Sequence, residues 1–329
     1  MKFVSFFLAT VALMAQSRSG IGTPYMGFVL DSSMHAIRPI IGLPGSATLG
    51  APMELPFSVL KLQVAPASNF ALAVVDTAER KSVALIQGLA STMPTAGLLD
   101  GAIPDVDLIA INATGTTAML VSNSGRLVQF VTGLPDQALA STAISTAMLG
   151  GEIRSAAVES SAARALVAVT DEINGGIHEI SSQGPRLLFA SASPSSVAYL
   201  NGEQDAVFAE AARGMVTRMN GIHGTALQTA MLASPADGTD QLVALEVVDG
   251  SLVIASAKTG ADADQPGRIL LIDLATGRVT AGPTLPVIPS RLARMSFRGL
   301  FATNEVGQGP LYLYSASDSV VAFVPPSVQ

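Results

Sequence analysis

The chain has 329 residues, of which 49% are hydrophobic, 13% charged and 5% aromatic, with no Cys and no Trp. Its net charge is −7, from 18 Lys and Arg against 25 Asp and Glu. These values exclude a disordered chain, argue against a nucleic-acid partner and remove disulfides, thiolate metal sites and Cys nucleophiles.

Met1-Lys2 is followed by an apolar run, Phe3 to Ala15, interrupted only by Ser5 and Thr10, and then by the polar stretch Gln16 to Gly20. One positive charge, a short apolar core and a small residue before a polar stretch form the pattern of a secretory signal peptide. Such a run spans about 20 Å as a helix, too short for a hydrocarbon core of about 30 Å. Residues 1–15 are therefore expected to be removed by cleavage after Ala15. That leaves 16–329 as one secreted or periplasmic domain. No later apolar segment is long enough to span a bilayer, so the mature chain is expected to stay out of the membrane and to be a monomer. Secretion without Cys, four Lys (Lys2, Lys61, Lys81 and Lys258) and abundant Ala fit a bacterium with a GC-rich genome.

Beyond the leader, short apolar runs bounded by turn residues read as strands. Examples in chain order are Gly27–Leu30, Phe70–Val75, Leu166–Val169, Leu252–Ala255 and Leu311–Tyr314. Their hydrophobicity is nearly continuous, which marks strands covered on both faces. Two Ala-rich stretches, 137–149 and 205–213, have helical propensity. The repeat described next makes the second a strand, and the first is read as an outer strand plus connector.

A unit recurs in which one run, a turn with Gly, a second run ending in a polar residue and a third run ending at Gly follow one another. The polar residue falls at Asp31, Asp76, Asn123, Asp171, Glu210, Lys258 and Asn304, a mean spacing of about 45 residues. The Gly closing the third run falls at Gly42, Gly88, Gly133, Gly184, Gly221 and Gly277. The Gly between the first two runs falls at Gly115, Gly202, Gly250 and Gly299, with Asn69 at the matching place in the second unit. Gly and Asn tolerate the positive φ of tight hairpins. Strands in groups of four at this period predict an all-β, seven-bladed propeller with repeats over residues 24–325. The first blade offers only three runs. The last run, Ser319 to Val324, follows its predecessor by a short turn and must be the outer strand of blade seven. The ring is therefore expected to close by packing, or by a poorly patterned strand within 17–25.

These units, clearest at Leu108–Gly133 and Leu242–Gly277 with its Ile269–Val279 phrase ILLIDLATGRV, resemble the YVTN/YncE-like, WD40-like superfamily of seven-bladed propellers. The resemblance covers nearly all of 24–325 and implies an architecture. The same fold hosts lactonases, quinoproteins, glycosidases and scaffolds, so it does not imply an activity. The opening stretch, Gly27–Gly50, is similar to a segment of uncharacterised secreted propeller-like proteins of soil bacteria.

In such a propeller the second-to-third hairpins and the links between blades share one mouth of the channel. Asp31, Asp76, Asn123, Asp171, Glu210, Lys258 and Asn304 are expected there, with Arg154 and Arg291, and with Arg294, on the links. Acids with a few Arg suit a hard cation such as Ca²⁺ or a polyol. Asp and Asn also end strands simply because they make turns. The three histidines, His35, His178 and His223, have no zinc-binding spacing. Absence of Trp removes the docking motifs of quinoprotein blades, the Trp-Asp dipeptide and the aromatic platforms of sugar binders. The sequence thus points to a non-catalytic binding or interaction scaffold acting through one face of the channel, with no cofactor and an unknown protein or small-molecule ligand. The alternative is a lactonase-like hydrolase with Ca²⁺ at the channel mouth, held by residues such as Asp76, Asn123, Asp171, Glu210 and Asn304.

Overall fold

The computed structural model of the chain describes residues 25–77, 80–200, 202–224, 226–237, 241–248, 250–257, 267–296, 299–307 and 309–325. The expected signal segment, Lys258 and residues 17–24 lie outside them. The described residues form seven antiparallel sheets. Blade one holds β1 (Tyr25–Asp31), β2 (Ala36–Ile41) and β3 (Thr48–Leu49). Blade two holds β4 (Ser58–Val64), β5 (Phe70–Asp76), β6 (Lys81–Gln87) and β7 (Thr95–Leu98). Blade three holds β8 (Leu108–Ile111), β9 (Ala118–Ser122) and β10 (Leu127–Thr132), with β11 (Leu139–Ala140) and β12 (Ile144–Ser145) both paired to its outer edge. Blade four holds β13 (Glu152–Val158), β14 (Arg164–Thr170), β15 (Gly176–Ser181) and β16 (Gly184–Ala190). Blade five holds β17 (Pro194–Tyr199), β18 (Ala206–Glu210), β19 (Met215–Asn220) and β20 (Gln228–Ala233). Blade six holds β21 (Gln241–Val248), β22 (Ser251–Ala257), β23 (Gly267–Asp273) and β24 (Val279–Leu285). Blade seven holds β25 (Ala293–Arg294), β26 (Leu300–Ala302), β27 (Leu311–Ser315) and β28 (Val320–Val324).

The chain is a seven-bladed β-propeller with almost no helix, as the repeat predicts. The Ala-rich stretch 205–213 is strand β18 and a turn. Its counterpart, 137–149, is a broken outer strand followed by a short 3₁₀ turn. The glycine frame has its physical cause in the backbone. Gly115 and Gly250, between first and second strands, sit at φ +74° and +78°, where L side chains are strained. In blade two the left-handed position is taken by Ser68 at φ +53°, one residue before Asn69.

The core is divided among the blade interfaces. Successive residues of a strand point to opposite faces, and each face of a blade meets a neighbour. In β5, Phe70, Leu72 and Val74 pack with Ile109, Ala118 and Leu120 of blade three. Ala71, Ala73 and Val75 pack with Phe28, Leu30 and Ile37 of blade one. This explains the unbroken apolar runs: both faces of each middle strand are buried.

The seam between blades seven and one closes the ring. Met26, Val29 and Ile40 pack there with Met295, Leu300, Val306 and Leu313. Ser296 N donates to Met26 O at 2.8 Å, and Ser32 N and Oγ donate to Val306 O at 3.3 and 3.0 Å. Among the described residues the seam is held by packing and these bonds; the other expected mode, a strand within 17–25, lies almost wholly outside them. β1 occupies the second-strand position, and no inner strand stands beside it among the described residues. Pro39, opposite Phe28, has no N–H, and the carbonyls of Ile37 and Pro39 accept from Met53 N and Gly50 N on the far side of β2. By the antiparallel alternation, Phe28 and Leu30 direct both their N–H and their C=O groups away from β2.

Candidate functional site

The register residues within the described part stand at or just past the ends of second strands, and most of their hydrogen bonds go to backbone. Asp31 Oδ1 accepts from Ser33 N and Oγ and from Met34 N, and its Oδ2 meets Arg38 NH1 at 3.1 Å in a buried pair. Burial works to raise the Asp31 pKa, but the bonds from Ser33, Arg38 and Met34 outweigh it and hold it below 3.8. Asn123 clamps blade four: Ile153 N donates to Oδ1 at 2.9 Å, and Nδ2 donates to Ile153 O at 3.1 Å. Asp171 Oδ1 accepts from Asn174 N and Ile173 N, which lower its pKa. Glu210 is buried and accepts from Ser191 Oγ at 2.6 Å. Asn304 Oδ1 accepts from Tyr312 N at 2.7 Å. Asp76 is exposed at the end of β5, opposite Ser58 and Lys81. Arg154 makes an exposed pair with Glu152 at 2.9 Å. Among the described residues, no group of three or more His, Asp or Glu is arranged to hold a metal ion.

The channel itself is different. A cavity of about 290 Å³ is walled by inner-strand residues of blades two to seven, including Gln63, Ser155, Tyr199, Glu246, Arg291 and Arg294, and by Phe28 of β1. A larger space of about 620 Å³ opens at the opposite mouth, among the first-to-second hairpins, lined by Ala113, Ser160, Glu203 and Ser296. Pro66, Ala113, Tyr199, Val247 and Arg294 border both. Arg294, expected on a link, instead reaches across to blade six. Its Nε donates to Glu246 Oε2 at 2.9 Å and its NH2 to the Val247 carbonyl. Burial raises the Glu246 pKa above its ordinary value, while Arg294 opposes the shift. Arg291 has one ionic partner among the described residues, the exposed Glu305 at 4.0 Å, and its buried Nε has no acceptor. Burial pushes its guanidinium pKa down, with Glu305 working the other way. The buried Tyr199 hydroxyl has no partner either; burial, and then Glu159, Glu179 and Glu203, push its pKa up.

One cluster lies behind the opposite mouth that sequence reasoning does not assemble. His223 Nδ1 lies 3.0 Å from Glu179 Oε1, and its Nε2 lies 2.9 Å from Glu159 Oε1 and 2.9 Å from Glu203 O. Arg186 NH2 donates to Glu179 Oε2 at 2.7 Å. Each ring nitrogen of His223 thus faces a carboxylate oxygen. The residues come from blades four and five and are far apart in sequence. The available signal was Glu179, a carboxylate in the middle of the apolar strand β15. His178 is buried beside Asn174 O at 3.2 Å, and burial lowers its pKa. His35 sits in the β1–β2 turn at φ +50°.

No family model and no curated protein sequence matches the chain. Solved structures do. A functionally unknown protein from Desulfotomaculum acetoxidans superposes with a TM-score of 0.62 at 9% identity, over 92% of this chain and 100% of that one. A candidate 6-phosphogluconolactonase from Bacteroides fragilis gives 0.58 at 11% identity, over 93% and 94%. A protein from Lactobacillus plantarum gives 0.59 at 10% identity, over 92% and 96%. At such identities the similarity shows the shared propeller fold.

Proposed function

We propose that this chain is a non-catalytic binding propeller whose ligand enters the channel through the mouth formed by the first-to-second hairpins. One observation carries the reading. The side chains of Asp31, Asn123, Asp171, Glu210 and Asn304 are engaged in turns and clamps, whereas Arg291 and Tyr199, which line the channel, each keep a buried atom without a partner. Buried polar groups without partners are uncommon in folded proteins, and a bound ligand is one way to satisfy them. A thermal-shift panel of small metabolites on wild type and Ala113→Trp tests this. Ala113 is exposed and borders both spaces, so the indole should obstruct the entrance without disturbing the core. Stabilisation that is saturable in wild type and lost in Ala113→Trp supports the reading. Stabilisation kept in Ala113→Trp but lost in Asp171→Ala would place binding at the register mouth.

The hydrolase alternative draws on the fold shared with the candidate 6-phosphogluconolactonase. It requires a Ca²⁺ held near Asp76, Asn123, Asp171, Glu210 and Asn304. A rise in melting temperature with Ca²⁺, together with turnover of a δ-lactone, would favour it over the binding reading. We place this function outside the cytoplasm, on the strength of the 1–15 segment and the Cys-free composition. N-terminal sequencing of protein from the periplasmic or secreted fraction, expected to begin at Gln16, checks that placement.

A further inference from the structure

We propose that the channel takes a small organic carboxylate, held by the Arg291 guanidinium. The inference rests on the binding reading above and gives it a ligand class.

Charge comes first. The charged residues lining the cavity are one carboxylate, Glu246, and two guanidiniums, Arg291 and Arg294. Glu246 and Arg294 neutralise each other at 2.9 Å. That leaves Arg291 as the uncompensated charge. Its partner Glu305 stands at 4.0 Å with its side chain 56% exposed, a separation and setting in which solvent screens most of the attraction. A guanidinium stays ionised in a protein, so burial makes it demand a counter-charge rather than shed its proton. The channel therefore carries a net positive charge and presents a planar fork that matches a carboxylate.

The second element is the set of unsatisfied donors. The buried Nε of Arg291 and the buried hydroxyl of Tyr199 have no hydrogen-bond partner, and both residues line the cavity. Buried donors without partners are uncommon in folded proteins, and the oxygens of a bound acid would satisfy them.

Size is the third. A cavity of about 290 Å³ lies at the low end of the ~300–1,000 Å³ typical of small-molecule sites, which selects a compact acid over a polymer.

Calorimetric titration and melting curves of the full mature chain with succinate, and with its neutral diamide succinamide, test this. Succinate should bind and raise the melting temperature; succinamide should do neither. Arg291→Gln should weaken succinate at least tenfold, and Arg291→Lys should restore part of the loss. Equal binding of succinate and succinamide, no binding of succinate, or full affinity in Arg291→Gln would each overturn the carboxylate assignment. The wild-type comparison of acid with diamide stands even if the variants fold poorly. Loss of either compound's binding in Ala113→Trp would keep the channel reading alive when the carboxylate assignment fails. Unchanged succinate affinity in Ala113→Trp would instead count against the entrance on which the inference rests.

Discussion

The two mouths of the channel use their polar residues in opposite ways. At the register mouth, Asp31, Asn123, Asp171 and Asn304 sit at strand ends and bind backbone N–H groups close by or in the adjoining blade. In the channel and at the opposite mouth, Glu179, Glu246 and Arg294 sit within strands and meet charged partners on neighbouring blades or hairpins. A polar strand end satisfies a local geometric need, because the turn supplies the donors. A charge inside an apolar strand has no such local partner. It requires a partner from elsewhere in the fold, and that requirement makes it informative.

The largest expected effect breaks the cluster behind the opposite mouth. His223→Ala leaves the carboxylates of Glu159 and Glu179 buried without their shared partner, and should cost about 3–5 kcal/mol in urea unfolding. A cost near zero would mean that this mouth is no more committed than the other. At the register mouth, Asn123→Ala removes both bonds to the Ile153 backbone and should cost about 1–3 kcal/mol by the same measurement.

Acid unfolding sharpens the comparison further. The folded pKa of Asp31 lies below its ordinary value of 3.8. The ionised form is thus favoured in the fold, so its contribution is present above that value and is lost as pH falls through the folded pKa. Asp31→Asn should flatten the stability profile below pH 3.8, the value from which the native carboxylate departs. The smallest effect belongs to Arg154, whose pair with Glu152 is exposed on both sides. Arg154→Ala should change stability by no more than about 0.5 kcal/mol.

The architecture was legible in the sequence because turn chemistry repeats. Gly42, Gly88, Gly133, Gly184, Gly221 and Gly277 all hold positive φ, and only a recurring hairpin geometry enforces such a frame. The three strands that blade one shows among the described residues and the outer position of β28 followed from counting runs. The register residues within the described part do stand at or just past the ends of second strands, but their engagement with backbone could not be read from their identities. Asp at a strand end looks the same whether it binds a turn or a ligand. His223, Glu159 and Glu179 were out of reach for another reason: only the stacking of blades four and five brings them together. Arg294, expected on a link, lies instead in β25, a strand of only two residues.

The Cys-free chain makes one direct test of the two mouths available. A single thiol can be placed at the opposite mouth by Ala113→Cys, or at the register mouth by Ile173→Cys, where the side chain is 89% exposed. The quantity to measure is the alkylation rate of each thiol with and without saturating succinate. Slowed alkylation at position 113 with an unchanged rate at position 173 is the predicted result. Protection at 173 with none at 113 would contradict it.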